Sequence, residues 1–361
     1  MYLKNIRLIN FKNYIDSDFD FSERINGIVG LNGVGKTNLL DAIHYLSMCK
    51  SYFNNLDQLN INHQAEFFAI HGNFNLNEIE GEVKVSCIQK RNARKIFKFN
   101  QKEYTRLSDH IGLLPSVMIS PYDSDYINGS GESRRKYFDS VIAQYDKMYL
   151  DTLIQYNKVL MHRNVLLKQF CEKGYYDKDN MEIWNDKLID FGNTIHQARS
   201  KFIETFTPVF KKYFNEISPE SEDVNIEYES KLQINDFRKL LQETEKKDMA
   251  LQYTSVGIHK DDYLFYMNTY PVKKFCSQGQ QKTFLISLKL AHFEYLKNIK
   301  NIKPLLLLDD VFDKLDDSRV EYLTAMVANE HFGQVFISHT QKNRMEALFH
   351  RAGTSYRLHV I

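Results

Sequence analysis

One octapeptide constrains this chain more than anything else in it: Gly30-Leu31-Asn32-Gly33-Val34-Gly35-Lys36-Thr37. Ile25 to Val29, just before it, reads as a short buried strand, and Leu39, Ala42, Ile43 and Leu46, just after it, fall at helical spacing. A strand that runs through a glycine-rich turn into a helix aims successive backbone N–H groups, and the positive end of the helix dipole, at one point. The pattern predicts a phosphate loop. Gly30, Leu31, Asn32, Gly33, Val34, Gly35 and Asn38 surround a bound triphosphate, Lys36 reaches its β- and γ-phosphates, and the Thr37 hydroxyl holds Mg²⁺.

Three later segments extend this site. Pro304 precedes Leu305-Leu306-Leu307-Leu308, an apolar run suited to a strand buried on both faces, and the run ends in Asp309-Asp310. Asp309 is expected to hold the metal, and Asp310 to orient or deprotonate the attacking water. The bland alternative is an acidic turn, since Asp313, Asp316 and Asp317 follow. Val335-Phe336-Ile337-Ser338-His339 is a second buried strand, with His339 placed either to meet the γ-phosphate or to serve as a structural histidine. Ser277, Gln278, Gly279 and Gln280 open a helix with Phe284, Leu288 and Ala291 on one face. They make either a plain capped helix or a second anion site. One chain needs only one cradle for its phosphates, so this second start is expected to cover the nucleotide of a second copy.

Composition removes several classes. Lys plus Arg number 47 against 46 Asp plus Glu, so a globally basic nucleic-acid coat is excluded while a local basic groove is not. The 25 Phe and 22 Tyr argue against disorder. Cys49, Cys87, Cys171 and Cys276 are scattered without a CxxC pair, which fits a reducing cytosol rather than a disulfide framework or zinc site. The opening segment alternates polar and apolar residues, unlike a secretory signal, and no stretch approaches the roughly 20 apolar residues of a membrane span. The expected location is cytoplasmic.

Along the chain, Leu3 to Phe11 alternates like a half-buried strand, and short strand patterns recur from Phe67 to Phe99. Val117 to Pro121 reads as another core strand. Tyr149, Leu153, Tyr156, Leu160 and Leu167 repeat at helical steps, with Arg163 breaking the stripe, and Trp184 to Thr205 repeats the rhythm beyond a polar turn at Lys173 to Asn180. Two helices folded into a hairpin follow, either a projecting arm or an ordinary helical subdomain, with Pro208 and Pro219 bracketing the exit. Strand-like alternation returns at Asn225 to Leu232, a short helix is expected over Phe237 to Lys247, and strands and a turn over Ser255 to Pro271. The expected fold is α/β: an ATPase head with a mixed sheet around the phosphate-loop core, an antiparallel β subdomain, and an inserted helical hairpin. The expected divisions are 1–140, 141–220 and 221–361.

Taken together, these motifs resemble the ATP-binding-cassette superfamily, in the chromosome-maintenance branch of the SMC and Rad50 proteins, and most of all its RecF family. Asn10-Phe11-Lys12-Asn13-Tyr14, Ser120-Pro121-Tyr122-Asp123, Ser133 to Asp139, Arg163 to Lys168 and Gly257 to Asp262 resemble blocks of that family, and the likeness spans nearly the whole chain. It implies ATP and Mg²⁺ as cofactors, with Lys12 and Asn13 near adenine and ribose. It also implies ATP-dependent dimerisation, DNA binding, and loading of the RecA recombinase at gaps with RecR and RecO. The chain departs from the wider superfamily in three places. Ser120 to Asp123 stands where a glutamine loop is common, with Asp123 a candidate near the metal. Asp310 stands where glutamate is common, one methylene shorter, which implies slow hydrolysis. Gln278 replaces a frequent glycine. The rival readings are the ATPase subunit of another machine, whether transporter or nuclease, and a scaffold with a dead site.

For DNA, Lys90, Arg91, Arg94, Lys95, Lys98 and Lys102 form a basic run without an intervening acid, suited to salt-dependent, sequence-blind phosphate contact or to a solvated sheet face. Arg134 and Arg135, with Lys136, form a second cluster, able to meet phosphate or to tie the core to the hairpin. Lys273 and Lys274 precede the Ser277 segment.

Overall fold

The computed structural model describes all residues except 77–80, 219–221, 313–316, 329–330 and 353–354. Pro219, Asp313 and Asp316 therefore lie outside the described residues. The chain divides into two compact units, one made of Met1–Asp123 with Leu285–Ile361, the other of Ser124–Phe284. This differs from the expected three-part division: the hairpin is not a unit by itself, because the segments after it pack with it.

The first unit holds two sheets. One is antiparallel, in the order Tyr14–Asp20, Tyr2–Phe11, Phe67–Asn75, Glu82–Lys90, Ile96–Phe99, Lys102–Glu103. The other is parallel, in the order Tyr356–Val360, Ile25–Val29, Val335–His339, Leu305–Leu308, Ser116–Ile119. The helix Lys36–Met48 buries 11 of its 13 residues, which is why apolar side chains occur all round it rather than on one stripe. Leu39, Ile43 and Leu46 share one core with Leu8 and Ile70 of the antiparallel sheet and Leu307 and Phe336 of the parallel one. Each such buried side chain contributes about 1.5–3 kcal/mol. Gly72 permits the close approach, since a Cβ there would lie 2.5 Å from Leu46 Cδ1.

Parallel register brings the motifs together. Leu308 lies opposite Ile337, and His339 opposite Val29. The chain therefore leaves the sheet after Val29, Leu308 and His339 at one carboxyl edge, the usual ligand crevice of such sheets.

In the second unit, Lys147–Lys173 and Lys178–Ile217 form the helical hairpin. Its turn has Gly174 in the left-handed region and Asp177 capping the second helix through the Asn180 N–H, 3.1 Å away. The helix runs through Pro208 instead of ending near it. A proline inside a helix costs about 3 kcal/mol, and the buried Phe206, Phe210, Tyr213 and Phe214 on either side of it outweigh that loss. Arg163 breaks the apolar stripe because it is a buried anchor: Nη1 donates to Asp248 Oδ2 at 2.9 Å and to Thr254 Oγ1 at 2.7 Å. Arg199 plays the same part between Asp139, at 2.9 Å, and the Ile258 carbonyl, at 2.8 Å. A three-stranded sheet (Tyr270–Pro271, Asp262–Met267, Val224–Glu229) and the helix Phe237–Leu251 complete this unit.

Candidate ATP site

The phosphate loop has the backbone its glycines were expected to give. Gly33 and Gly35 take φ of +86° and +120°, and Gly35 stands at the N-cap of the helix Lys36–Met48. A Cβ on Gly35 would lie 2.6 Å from Asn13 Nδ2. Asn13 is seated beneath the loop, donating to the Val34 carbonyl at 2.7 Å and accepting from Asn38 Nδ2 at 2.7 Å. Tyr14 OH donates to the Gly35 carbonyl at 3.0 Å. Lys36 is buried and its ammonium curls back over the loop, donating to the carbonyls of Gly30 at 2.9 Å and Leu31 at 3.0 Å. Leu31 itself is exposed at the loop surface.

Thr37 Oγ1 donates to Asp309, 2.9 Å from Oδ1. Ser338 Oγ donates to the same Oδ1 at 2.9 Å and accepts from the Asp310 N–H at 2.8 Å, so one hydroxyl ties the Asp309 carboxylate to the Asp310 backbone. Ser338 went unread as a site residue; its place just before His339 was the only local signal. Burial raises the Asp309 carboxyl above its usual range, while hydrogen bonds from Thr37 and Ser338 oppose the shift. A carboxyl pushed up by burial, with a hydroxyl already on it, suits a hard divalent cation with oxygen ligands, so Thr37 and Asp309 fit Mg²⁺. Asp310 has φ +47°, a left-handed conformation that is strained for most residues and tolerated by aspartate. His339 is fully buried, and its Nδ1 accepts from the Gln341 N–H at 2.8 Å. That bond leaves the proton of the neutral ring on Nε2, as a donor.

Asp123 is 2% exposed, pairs with Lys289 at 3.1 Å, and accepts from Tyr52 OH and from the Ser120 N–H at 2.8 Å, an internal ion pair that the sequence reading did not foresee. Lys12 keeps its place beside the loop, where its ammonium pairs with the buried Asp41 at 2.6 Å.

In the second unit, Ser277 and Gln280 cap the helix Gln278–Lys300 reciprocally: Gln280 N–H donates to Ser277 Oγ at 3.3 Å, and Ser277 N–H to Gln280 Oε1 at 2.8 Å. Ser277, Gln278 and Gly279 are exposed, and a Cβ added to Gly279 would meet only Ser277 Oγ, at 3.9 Å.

The basic residues separate. Lys90, Arg91 and Arg94 are exposed and Lys98 is half-buried. Lys95 is drawn inside, onto Asp57 at 2.7 Å. Arg134 is held by both oxygens of Asp262, at 2.7 and 2.8 Å, and Arg135 donates to the Asp261 carbonyl. Lys95 and Arg134 are thus internal braces, while Arg135 is half-buried, a distinction that charge spacing alone does not reveal.

Fold and site together define a phosphate-loop ATPase head of the SMC type. The RecF/RecN/SMC N-terminal domain model matches residues 2–357, and the chain belongs to that family. It is 48% identical to the DNA replication and repair protein RecF of Flavobacterium johnsoniae, over 99% of each chain, and 44% identical to that of Phocaeicola vulgatus, over 100% of this chain and 96% of the other. Among solved structures, the recombination mediator protein RecF with ATP superposes with a TM-score of 0.88 at 34% identity, over 94% of this chain and 92% of that one. The Smc head domain of Pyrococcus furiosus, 18% identical over 96% of this chain and 91% of its own, shares the fold with a TM-score of 0.56.

Proposed function

We propose that this protein is a cytosolic ATP-gated DNA clamp of recombinational repair, in which two ATP-bound copies close on each other and hydrolysis releases them. The observation that carries this reading is the exposed, reciprocally capped helix start at Ser277, with an open backbone at Gly279, in a chain whose phosphate loop already supplies one anion cradle. A second helix N-terminus of this kind has use for the γ-phosphate held by a twin.

Each residue of the site has a part. Lys36 exchanges its two loop carbonyls for phosphate oxygens. Thr37 and Asp309 would hold Mg²⁺, which supplies charge neutralisation at the phosphates. Asp310, fixed by Ser338, receives a proton from the attacking water, and His339 Nε2 donates to the γ-phosphate. Binding supplies the closing force, and loss of the γ-phosphate removes the bridging charge.

Lys90, Arg91, Arg94 and Lys98 offer a sequence-blind phosphate surface. The solved relative is described as a recombination mediator in the RecFOR pathway. By that likeness this chain works with RecR and RecO and loads RecA at gaps. No helix among the described residues is long and apolar enough to cross a membrane. Sizing the pure protein with and without ATP, then with gapped, duplex and single-stranded DNA, tests the reading: ATP-dependent dimers that retain DNA support it, and monomers in saturating ATP refute it.

A further inference from the structure

Lys95 sits within the basic run yet is only 10% exposed. Its ammonium donates to three acceptors: Tyr45 OH at 3.0 Å, the Cys49 carbonyl at 2.6 Å and Asp57 Oδ2 at 2.7 Å. An ammonium has three protons, so none is left for a DNA phosphate. Two of the acceptors belong to one element. Tyr45 lies in the last turns of the helix Lys36–Met48, and Cys49 is its left-handed C-cap. A cation on the terminal carbonyl of a helix also meets the negative end of the dipole. The other end of that helix, about 18 Å away at 1.5 Å per residue, carries Lys36 and Thr37. Asp57 closes the arrangement by accepting from Tyr45 OH as well.

The turn before Lys95 is braced toward the same place. Asn92, with φ +54°, accepts from Gln58 Nε2 at 3.4 Å, one residue beyond Asp57, and the Arg91 N–H donates to the Glu66 carbonyl at 2.9 Å. The exposed Arg91 and Arg94 thus belong to a turn whose one inward cation is clamped onto the far end of the phosphate-loop helix.

We propose that Lys95 is a positioning residue that couples the basic turn to the phosphate-loop helix, so that a phosphate backbone bound at Arg91 and Arg94 is felt at Lys36 and Thr37 as faster ATP hydrolysis. The inference rests on the DNA-binding reading above. The partner chemistry is a nucleic-acid backbone, and the clamp Lys95–Asp57–Tyr45 is the link.

The test uses the full-length protein with gapped duplex DNA and compares Lys95→Met with Asp57→Asn. These variants change charge in opposite directions. If Lys95 touched DNA, Lys95→Met would flatten the salt dependence of binding by about one unit of slope, and Asp57→Asn would leave binding unchanged or strengthen it. As a coupling clamp, both variants keep the wild-type slope, hydrolyse ATP without DNA within about twofold of wild type, and lose the DNA-dependent stimulation. Should Lys95→Met fold poorly, Asp57→Asn carries the test, with thermal melting as the folding check. Full stimulation in a folded Asp57→Asn protein overturns the inference, as does a wild type that binds DNA without any stimulation. A wild type that binds no DNA refutes the clamp reading itself.

Discussion

Thr37 Oγ1 lies 2.9 Å from Asp309 Oδ1, across 272 positions of sequence. That hydrogen bond joins the phosphate loop to the apolar strand and marks where Mg²⁺ fits. The strands that lead to the two residues, Ile25–Val29 and Leu305–Leu308, flank Val335–His339 in the parallel sheet, and Ser338 of that middle strand is the third member.

Removing the Asp309 charge should stabilise the empty protein and disable the loaded one. Burial raises this carboxyl above its ordinary value of 3.8, so the native state favours its protonated form. The resulting penalty is absent below pH 3.8, grows as pH rises towards the raised native value, and is complete above it. Asp309→Asn is therefore expected to melt higher than wild type at neutral pH without nucleotide, to gain nothing from ATP with Mg²⁺, and to release phosphate at least about 100-fold more slowly. A lower melting temperature without nucleotide would contradict this.

The Asp123–Lys289 pair is buried at both ends, 2% exposed each. Burial lowers the Lys289 ammonium, with Asp123 partly offsetting the shift. Asp123→Ala should cost about 3–5 kcal/mol in urea unfolding, because it strands a buried cation. Asp123→Asn combined with Lys289→Met should cost less than Asp123→Ala alone. Similar losses would show that the two do not act as a pair.

Acid should destabilise the protein from about pH 6.5 downward, above the carboxylate range. His110 Nε2 lies 2.7 Å from the Leu46 carbonyl and Nδ1 3.2 Å from Tyr104 OH; His259 Nε2 lies 3.0 Å from the Thr254 carbonyl and Nδ1 2.8 Å from Tyr156 OH. Each neutral ring uses one nitrogen as donor and the other as acceptor. Burial lowers both to about 4. Since the unfolded chain takes up protons first, stability is full above pH 6.5 and falls as pH drops, by about 2 kcal/mol per histidine at about pH 5. Urea midpoints at neutral and mildly acid pH check this, and equal midpoints would exclude it.

The parts of the site that were legible in sequence are those set by short-range pattern. The strand–loop–helix around Gly30 to Thr37, the four leucines before Asp309, and the two helices with their turn at Gly174 all follow from local periodicity and capping. The hidden parts depend on partners far along the chain. The buried pairing of Asp123 was hidden because Lys289 is 166 positions away, and Lys95 looked like its basic neighbours because Asp57 and Cys49 lie in other elements. The strands Tyr14–Asp20 and Tyr356–Val360 went unread, being edge strands whose alternation is broken by exposed charges. Pro208 misled because proline is a local signal, and the aromatic packing beside it is not.

Asp310→Asn offers the most direct measurement, because asparagine tolerates the left-handed backbone at this position while removing the group that accepts the water's proton. Light scattering of this variant with ATP and Mg²⁺ should give a lasting dimer, and adding Ser277→Arg should return it to monomer with ATP still bound. A variant that binds ATP and stays monomeric, or a dimer indifferent to Ser277→Arg, would contradict the composite site.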